Sequence, residues 1–362
     1  MIRLLGLLLC LFLIIHQNYA MLYSSIVKPF LFSKNAESAH DWAIEMSAWA
    51  NQSELIRVFI ESMYDSPNTG LEKEFWGLKF PNPVGLAAGF DKNGVTPRAM
   101  QSIGFGFVEI GSITAKPSEG NPKPRAFRLP EDRSLINRMG LNNEGAEQIV
   151  QRLKNYKLKI PLGVNIAKTN DMDIHGDAAI EDYKFSYDLA KTVADYITVN
   201  ISCPNTGEGK TFEDPTALEA LLSGLVLSES EIPTLVKFSV DTEKKDLEKL
   251  VEICERYKIH GYVATNTSST RENLKSDKQT IDEIGTGGLS GHAILSKSTQ
   301  VVSWLNEFLQ GSKPIIGVGG IDSLESAIQK IEAGADLIQI YTGMVYEGPG
   351  LVKEIKSGLR KR

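Results

Sequence analysis

Beyond Phe80 the chain alternates eight short β-rich runs with helical stretches, and this alternation constrains its fold more than any other feature. Such a pattern is typical of parallel strands joined by crossover helices. The predicted strands are Pro83–Ala87, Phe107–Ile113, Leu162–Ala167, Tyr196–Ser202, Thr234–Val240, Gly261–Thr267, Pro314–Gly319 and Leu337–Tyr341. Eight units of this kind predict an α/β fold, a (β/α)8 TIM barrel formed by residues 71–362.

The ends of the predicted strands carry polar side chains. In a TIM barrel the carboxyl ends of the strands meet at one face, where ligands bind. The polar residues at these ends are Lys92, Ser112, Asn165, Asn200, Cys203, Lys237, Thr265 and Asn266. Barrel packing requires only apolar residues, so this convergence predicts one cavity that holds a polar ligand.

Glycine-rich turns follow the last two predicted strands, at residues 316–320 and 341–343. TIM barrels commonly bind a phosphate there, since glycines expose backbone N–H groups. A further glycine-rich segment, residues 287–291, is predicted to be a flexible loop that closes over the same group. The predicted ligand therefore carries a phosphate.

Residues 199–205 place a thiol, Cys203, between the amides of Asn200 and Asn205. Each amide offers both a donor and an acceptor, and a thiol can move a proton. A cysteine near a strand end is more commonly a small buried hydrophobe, but the polar ends of the other strands favour a chemical role. The other two cysteines, Cys10 and Cys254, form no metal-ligand spacing with it, so neither a metal site nor a disulfide framework is predicted. The pattern around Cys254 predicts a core position on a helix.

The formal net charge of −6 argues against a general nucleic-acid surface, because phosphate binding depends on clustered Lys and Arg. No nucleic-acid partner is predicted.

The N-terminal part divides into a hydrophobic segment, residues 1–20, and a helical segment, residues 21–70. The apolar run from Leu4 to Ile15 is shorter than the roughly 20 residues that span a bilayer. It fits a short membrane anchor, a signal-like segment or a stretch upstream of a true start at Met21.

In the helical segment, Asn35 or Ser38 is the expected N-cap. Apolar residues recur there at helical spacing, and this stripe either packs on the barrel or rests at a membrane interface. The stripe consists of Ala39, Trp42, Ala43, Met46, Trp49 and Ala50.

A phosphate group, a lysine at the fifth strand and many amides resemble an FMN site in which Lys237 stabilises negative charge on the reduced flavin. Five segments, at residues 85–94, 136–143, 200–205, 264–267 and 315–322, closely resemble dihydroorotate dehydrogenases. The resemblance covers nearly everything after Met21.

The resemblance implies oxidation of (S)-dihydroorotate to orotate in the biosynthesis of UMP. A hydride passes from C6 to flavin N5 while a base, here Cys203, removes the C5 proton. It implies flavin contacts at Ala88, Gly89, Phe90, Asp91, Lys92, Ser112, Asn165, Asn200, Lys237, Thr265, Gly291, Gly320, Tyr341 and Thr342. It implies substrate contacts at Lys92, Asn137, Arg138, Met139, Gly140, Leu141, Asn200, Asn205, Asn266 and Thr267. Amides suit orotate because its ring edge alternates acceptors with donors.

The helical segment before the barrel resembles the membrane-bound, quinone-reducing class, in which it shapes an apolar tunnel to the flavin. His40 and Arg128 match residues that line the tunnel. This class implies peripheral association with the inner or cytoplasmic membrane, the barrel in the cytoplasm, and no iron–sulfur partner subunit.

Cys203 departs from that class, which usually has serine at this position, whereas cysteine is typical of the soluble classes. A soluble enzyme that uses fumarate, a related barrel that reduces uridines in transfer RNA, and a silent flavin-binding scaffold at a membrane are the alternatives. The helical segment argues against the soluble enzyme, and the acidic charge balance argues against the barrel that acts on transfer RNA. The joint presence of Lys92, Cys203 and Lys237 argues against the silent scaffold.

Overall fold

A computed structural model of the protein describes residues 23–202, 211–225 and 231–362. Within these ranges the strands are β1 (Lys73–Phe75), β2 (Leu78–Phe80), β3 (Val84–Leu86), β4 (Phe107–Ile113), β5 (Ala126–Leu129), β6 (Ser134–Asn137), β7 (Leu162–Ile166), β8 (Tyr196–Asn200), β9 (Thr234–Phe238), β10 (Gly261–Ala264), β11 (Gly288–Gly291), β12 (Ile315–Val318) and β13 (Leu337–Ile340).

Eight of these strands close into a barrel in the order β3-β4-β7-β8-β9-β10-β12-β13, and every neighbouring pair is parallel. The predicted TIM barrel is confirmed, and each predicted strand is present. Some observed strands are shorter than predicted at their carboxyl ends, by three residues in β10. There the polar residues Thr265 and Asn266 follow the last paired residue of the strand, Ala264.

The helices are α1 (Lys28–Phe32), α2 (Ala36–Gln52), α3 (Glu54–Tyr64), α4 (Pro97–Ile103), α5 (Ala146–Leu153), α6 (Asp177–Ala190), α7 (Pro215–Gly224), α8 (Lys244–Arg256), α9 (Lys278–Ile284), α10 (Leu295–Leu309), α11 (Leu324–Glu332), α12 (Thr342–Glu347) and α13 (Gly350–Leu359). A π-helical turn, Tyr23–Val27, precedes α1. Cys254 lies in α8 and is fully buried, as predicted.

A hairpin of β1 and β2 covers the amino-terminal end of the barrel, although the sequence analysis did not predict it. Its Phe80 packs edge-on against Phe107 with ring centroids 5.4 Å apart. Aromatic and aliphatic side chains fill this end, so the opposite end, where the strands terminate, is the one that can hold a ligand.

Residues 287–291 are not the flexible loop that was predicted, because Gly288–Gly291 form β11, which pairs antiparallel with β6. Leu289 is buried in a small apolar cluster, which stabilises this pairing. A Cβ on Gly288 would lie 2.1 Å from Thr267 Oγ1. Glycine is needed here for close approach rather than for mobility.

The helical segment is attached to the barrel side by buried polar contacts. The guanidinium of Arg125 donates to Glu37 Oε1 over 2.9 and 3.0 Å, and both side chains are buried. Asn35 is the N-cap of α2, since its Oδ1 accepts from the Ser38 backbone N–H. This attachment places α1 and α2 beside the carboxyl ends of the strands. The division at residues 70 and 71 stays a prediction.

Across the described residues, none of the helices combines the length and the apolar character that crossing a bilayer requires.

Candidate active site

A cavity of about 450 Å³ lies at the carboxyl ends of the barrel strands and continues between α1 and α2. This volume is in the usual range of small-molecule sites. Its barrel end is polar and its helical end is apolar, with Val27, Leu31, Phe32, Ala39, Trp42, Ala43 and Met46 among the lining residues. One continuous cavity therefore offers two chemically different environments.

Most of the predicted site residues line this cavity. They are Ala88, Gly89, Phe90, Lys92, Ser112, Asn200, Lys237, Thr265, Gly291, Gly320, Tyr341 and Thr342 of the predicted flavin set, Asn137, Met139, Gly140, Leu141, Asn266 and Thr267 of the predicted substrate set, and His40 and Arg128.

Three predicted residues do not line the cavity. Asp91 accepts from the N–H groups of Val95 and Thr96 and so stabilises the loop before α4. Asn165 donates to Glu109. Arg138 donates to carbonyls that include that of Ile284, because it follows Asn137 in an extended segment where successive side chains point to opposite sides.

Cys203 and Asn205 lie outside the described residues, as do residues 1–20. The residue before Cys203 in the sequence, Ser202, belongs to the described part of the chain. Ser202 is fully buried, its N–H donates to Asn200 Oδ1 over 3.3 Å, and its carbonyl accepts from Asn266 Nδ2 over 3.0 Å. Two cavity-lining amides, those of Asn200 and Asn266, therefore hold the chain at the residue that precedes Cys203 in the sequence.

Lys92 and His40 share the wall between the barrel and the helices. Burial lowers the pKa of Lys92 to about 8, although Asp41 acts in the opposite direction. Burial and the charge of Lys92 lower the pKa of His40 to about 3, so its imidazole is neutral at physiological pH. The His40 ring packs edge-on against Phe90, with centroids 5.4 Å apart, and lies 6.2 Å from the ring of Tyr341.

Lys237 is a buried cation in β9, with 6% of its surface exposed. It pairs in register with Asn200 of β8, and both residues line the cavity. A cation held away from water at such a position stabilises negative charge on a bound ligand.

Gly319 and Gly320 form a cradle next to the first turn of α10. Both have positive φ, and a Cβ on Gly320 would lie 2.4 Å from the Leu295 Cα. Their backbone N–H groups donate to no backbone acceptor within the part of the chain that the structure describes. Unpaired N–H groups beside a helix N-terminus fit a phosphate. With the amides and Lys237 nearby, these residues fit a flavin mononucleotide.

Arg128 lies beside the apolar end of the cavity. Its guanidinium donates to the carbonyls of Lys34 and Leu31 over 2.8 and 3.0 Å and is centred 4.5 Å from the Phe32 ring. It therefore holds the turn between α1 and α2 as well as lining the cavity.

The polar residues near the site that the sequence did not predict include two that belong to barrel strands. Gln339 of β13 lines the cavity, and Glu109 of β4 lies fully buried beneath it. Both are in strand interiors, whereas the predicted site residues lie at strand ends and in the loops that follow. A polar residue within an otherwise apolar strand, as in residues 337–340, was the available signal.

The family model for dihydroorotate dehydrogenase matches residues 70–362 of this chain. Among curated proteins, a dihydroorotate dehydrogenase (quinone) from Christiangramia forsetii is 40% identical over 345 residues, which cover 94% of this chain and 99% of that protein. Another from Synechococcus sp. (strain JA-3-3Ab) is 39% identical over 350 residues, covering 93% of this chain and 92% of that protein.

Among solved structures, a dihydroorotate dehydrogenase from Eimeria tenella in complex with ferulenol is similar, with a TM-score of 0.78 and 32% identity. The alignment covers 92% of this chain and 93% of that one.

Proposed function

This chain belongs to the dihydroorotate dehydrogenase family, and from that premise we propose how its cavity performs the reaction. The reaction is the oxidation of (S)-dihydroorotate to orotate in pyrimidine biosynthesis, with a quinone as electron acceptor. The observation that carries this function is the continuous cavity, whose polar barrel end suits the pyrimidine and whose apolar helical end suits a quinone.

Gly319 and Gly320 would hold the phosphate of an FMN, and Ser112, Asn200 and Lys237 would hold its ring. When bound, FMN supplies the two-electron acceptor for the hydride that leaves C6 of dihydroorotate. The cradle and the buried cation support this placement. Gly89 supports it too, since a Cβ there would meet no atom closer than the Tyr341 ring at 3.5 Å, so the backbone is open to a ring.

Dihydroorotate lies with its carboxylate at Lys92 and its ring edge at Asn137, Asn205 and Asn266. The Cys203 thiolate takes the C5 proton as the C6 hydride departs, and the C5–C6 double bond of orotate forms. Lys92 compensates a carboxylate held away from water, and the amides match the alternating donors and acceptors of the ring.

The quinone occupies the apolar end of the cavity, next to His40 and Arg128. A neutral imidazole there accepts or donates one hydrogen bond without placing a charge beside the quinone ring.

The helical segment associates with a membrane surface, from which the quinone enters. Seven large apolar side chains of residues 23–64 are exposed, namely Ile26, Phe30, Met46, Trp49, Leu55, Val58 and Phe59. By contrast, Met172 and Phe185 are the exposed large apolar residues in the rest of the described chain. Such a concentration marks an interaction surface, and amphipathic helices bind at the lipid interface.

Anaerobic bleaching by dihydroorotate, followed by reoxidation with a quinone in lipid vesicles, fumarate or NAD in parallel, tests this function. We expect bleaching, fast reoxidation by the quinone alone, and sedimentation of the protein with the vesicles. Bound flavin that dihydroorotate does not bleach would refute the reaction. Fumarate as the best acceptor would refute the quinone site, and protein left in the supernatant would refute the membrane surface.

The pKa of Lys92 predicts a pH dependence of orotate affinity. Below about pH 7 the ammonium is charged and affinity is constant. As the pH rises through 8 the free protein loses this charge, so affinity falls by up to roughly tenfold per pH unit. Titration of the bound flavin's absorbance with orotate from pH 6 to pH 10 measures the fall.

Lys92→Arg is the matched control, because a guanidinium keeps its charge across this range. Its orotate affinity should not fall above pH 8, whatever its absolute value. The same fall in both proteins would assign the titration to another group, such as the Cys203 thiol.

A further inference from the structure

Glu109 is a fully buried carboxylate in β4, inside the barrel and beneath the cavity. Four neutral donors from three other strands converge on it. Oε1 accepts from Asn165 Nδ2 over 2.8 Å. Oε2 accepts from Gln339 Nε2 over 2.8 Å and from the hydroxyls of Thr198 and Tyr196 over 3.1 and 3.2 Å. A buried carboxylate is tolerated when hydrogen bonds of this kind satisfy its oxygens.

The carboxylate determines how its neighbours are turned. Its oxygens accept all four hydrogen bonds, so both Asn165 and Gln339 direct their NH2 groups toward it. Burial and the adjacent Glu109 raise the pKa of Tyr196 well above its ordinary value, so the phenol keeps its proton and donates as well. The other end of the Gln339 amide, Oε1, is buried with no hydrogen-bond partner in the described part of the chain, and Gln339 lines the cavity.

The orientation of the Asn165 amide determines the orientation of further side chains, which are connected to it by successive hydrogen bonds. Asn165 Oδ1 faces Ser112 and accepts from its hydroxyl over 2.5 Å. The Ser112 proton is thereby committed, and its oxygen accepts from Asn200 Nδ2 over 3.2 Å. Asn200 then offers Oδ1 to Asn266 Nδ2, also over 3.2 Å. The donor and the acceptor in each of these hydrogen bonds are therefore fixed, because the hydrogen bond from Asn165 to Glu109 fixes which way the Asn165 amide is turned.

This chain of hydrogen bonds ends at Ser202, the residue that precedes the proposed base in the sequence. Asn200 Oδ1 also accepts from the N–H of Ser202, and Asn266 Nδ2 donates to the Ser202 carbonyl. Ser202 directly precedes Cys203 in the sequence. The side chain of Glu109, buried within the barrel, is therefore connected through hydrogen bonds both to the cavity wall and to Ser202, the residue before Cys203.

We propose that Glu109 is a positioning residue that fixes which atoms the cavity amides present to ligands. Through Asn165 and Ser112 it directs Asn200, and by direct contact it directs Gln339. The flavin and orotate are recognised by the order of donors and acceptors along their ring edges, so a reversal of these amides weakens both. This inference rests on the proposed function, because it takes those two molecules as the ligands.

Glu109→Gln tests the proposal, because the amide has the shape of the carboxylate but carries two protons. It cannot accept from four donors, so at least one neighbouring amide must turn. We expect the dissociation constants of FMN with the apoprotein, and of orotate with the flavin-loaded protein, to rise at least about tenfold. Quenching of FMN fluorescence and the visible spectrum of the bound flavin measure these constants without turnover.

Asp182→Asn is the matched control. Asp182 is also buried, and its Oδ1 accepts from the Thr169 backbone N–H over 2.8 Å, away from the cavity. The same carboxylate-to-amide change there should lower thermal stability but leave both dissociation constants within about twofold. If Glu109 had a purely structural role, both variants would lose thermal stability and both would keep the original dissociation constants.

Asn165→Leu provides a second measurement if Glu109→Gln does not fold. Asn165 does not line the cavity, so weaker binding in this variant must act through Ser112 and Asn200. A folded variant of either kind that binds FMN and orotate as the unaltered protein does would overturn the inference. Failure of the unaltered protein to bind them would instead overturn the proposed function.

Discussion

Cys203→Ala is expected to lower the rate of flavin reduction by dihydroorotate about 10²- to 10⁴-fold, the usual contribution of a positioned base. The C5 proton then has no acceptor, while the residues that bind the ring are unchanged. Orotate affinity should therefore stay within a few-fold of the original value. Anaerobic stopped-flow bleaching measures the rate, and orotate titration measures the affinity.

Cys203→Ser is the informative companion variant, because a hydroxyl replaces the thiol with little change in the size of the side chain. A thiol has an ordinary pKa near 8.5 and ionises far more readily than a hydroxyl. We expect the unaltered protein to reach its full rate of flavin reduction at lower pH than the serine variant. Identical pH profiles, or an alanine variant that bleaches at the original rate, would show that Cys203 is not the base.

The order of the barrel strands and the polar character of their ends could be predicted, since both depend on local patterns. Alternation of β-rich and helical stretches indicates parallel strands, and parallel strands bring their carboxyl ends to one face. Lys92, Ser112, Asn200 and Lys237, which are far apart in the sequence, therefore line one cavity.

The hydrogen bonds beneath the cavity could not be predicted in the same way. Glu109 and Gln339 are 230 residues apart, and their contact depends on the register of a closed barrel rather than on any local pattern. The partner of Arg125, Glu37, likewise comes from a different segment of the chain. The antiparallel pairing of β6 with β11 was missed because β11 is short and begins and ends with glycine, which is typical of loops.

Lys237→Met is expected to slow flavin reduction by dihydroorotate about 10²- to 10³-fold, the usual cost of losing one preorganised electrostatic partner. Methionine keeps the length and apolar stem of lysine, so the change removes chiefly the charge. Negative charge that develops on the bound flavin then has no buried cation to stabilise it. The reduction potential of the bound flavin should fall as well, which spectroelectrochemical titration measures independently of the substrate.

Lys356→Met is the control for the loss of a buried lysine. Lys356 has no exposed surface, pairs with Asp65 over 2.5 Å and does not line the cavity. Its loss should lower the free energy of unfolding, since Asp65 is left without its cation, but the rate of bleaching and the flavin potential should not change. If both variants lost stability equally and kept the original potential, Lys237 would be a packing residue. A lowered potential in Lys237→Met alone would assign the charge at the end of β9 to the flavin, because Lys237 lines the cavity whereas Lys356 is a buried lysine away from it.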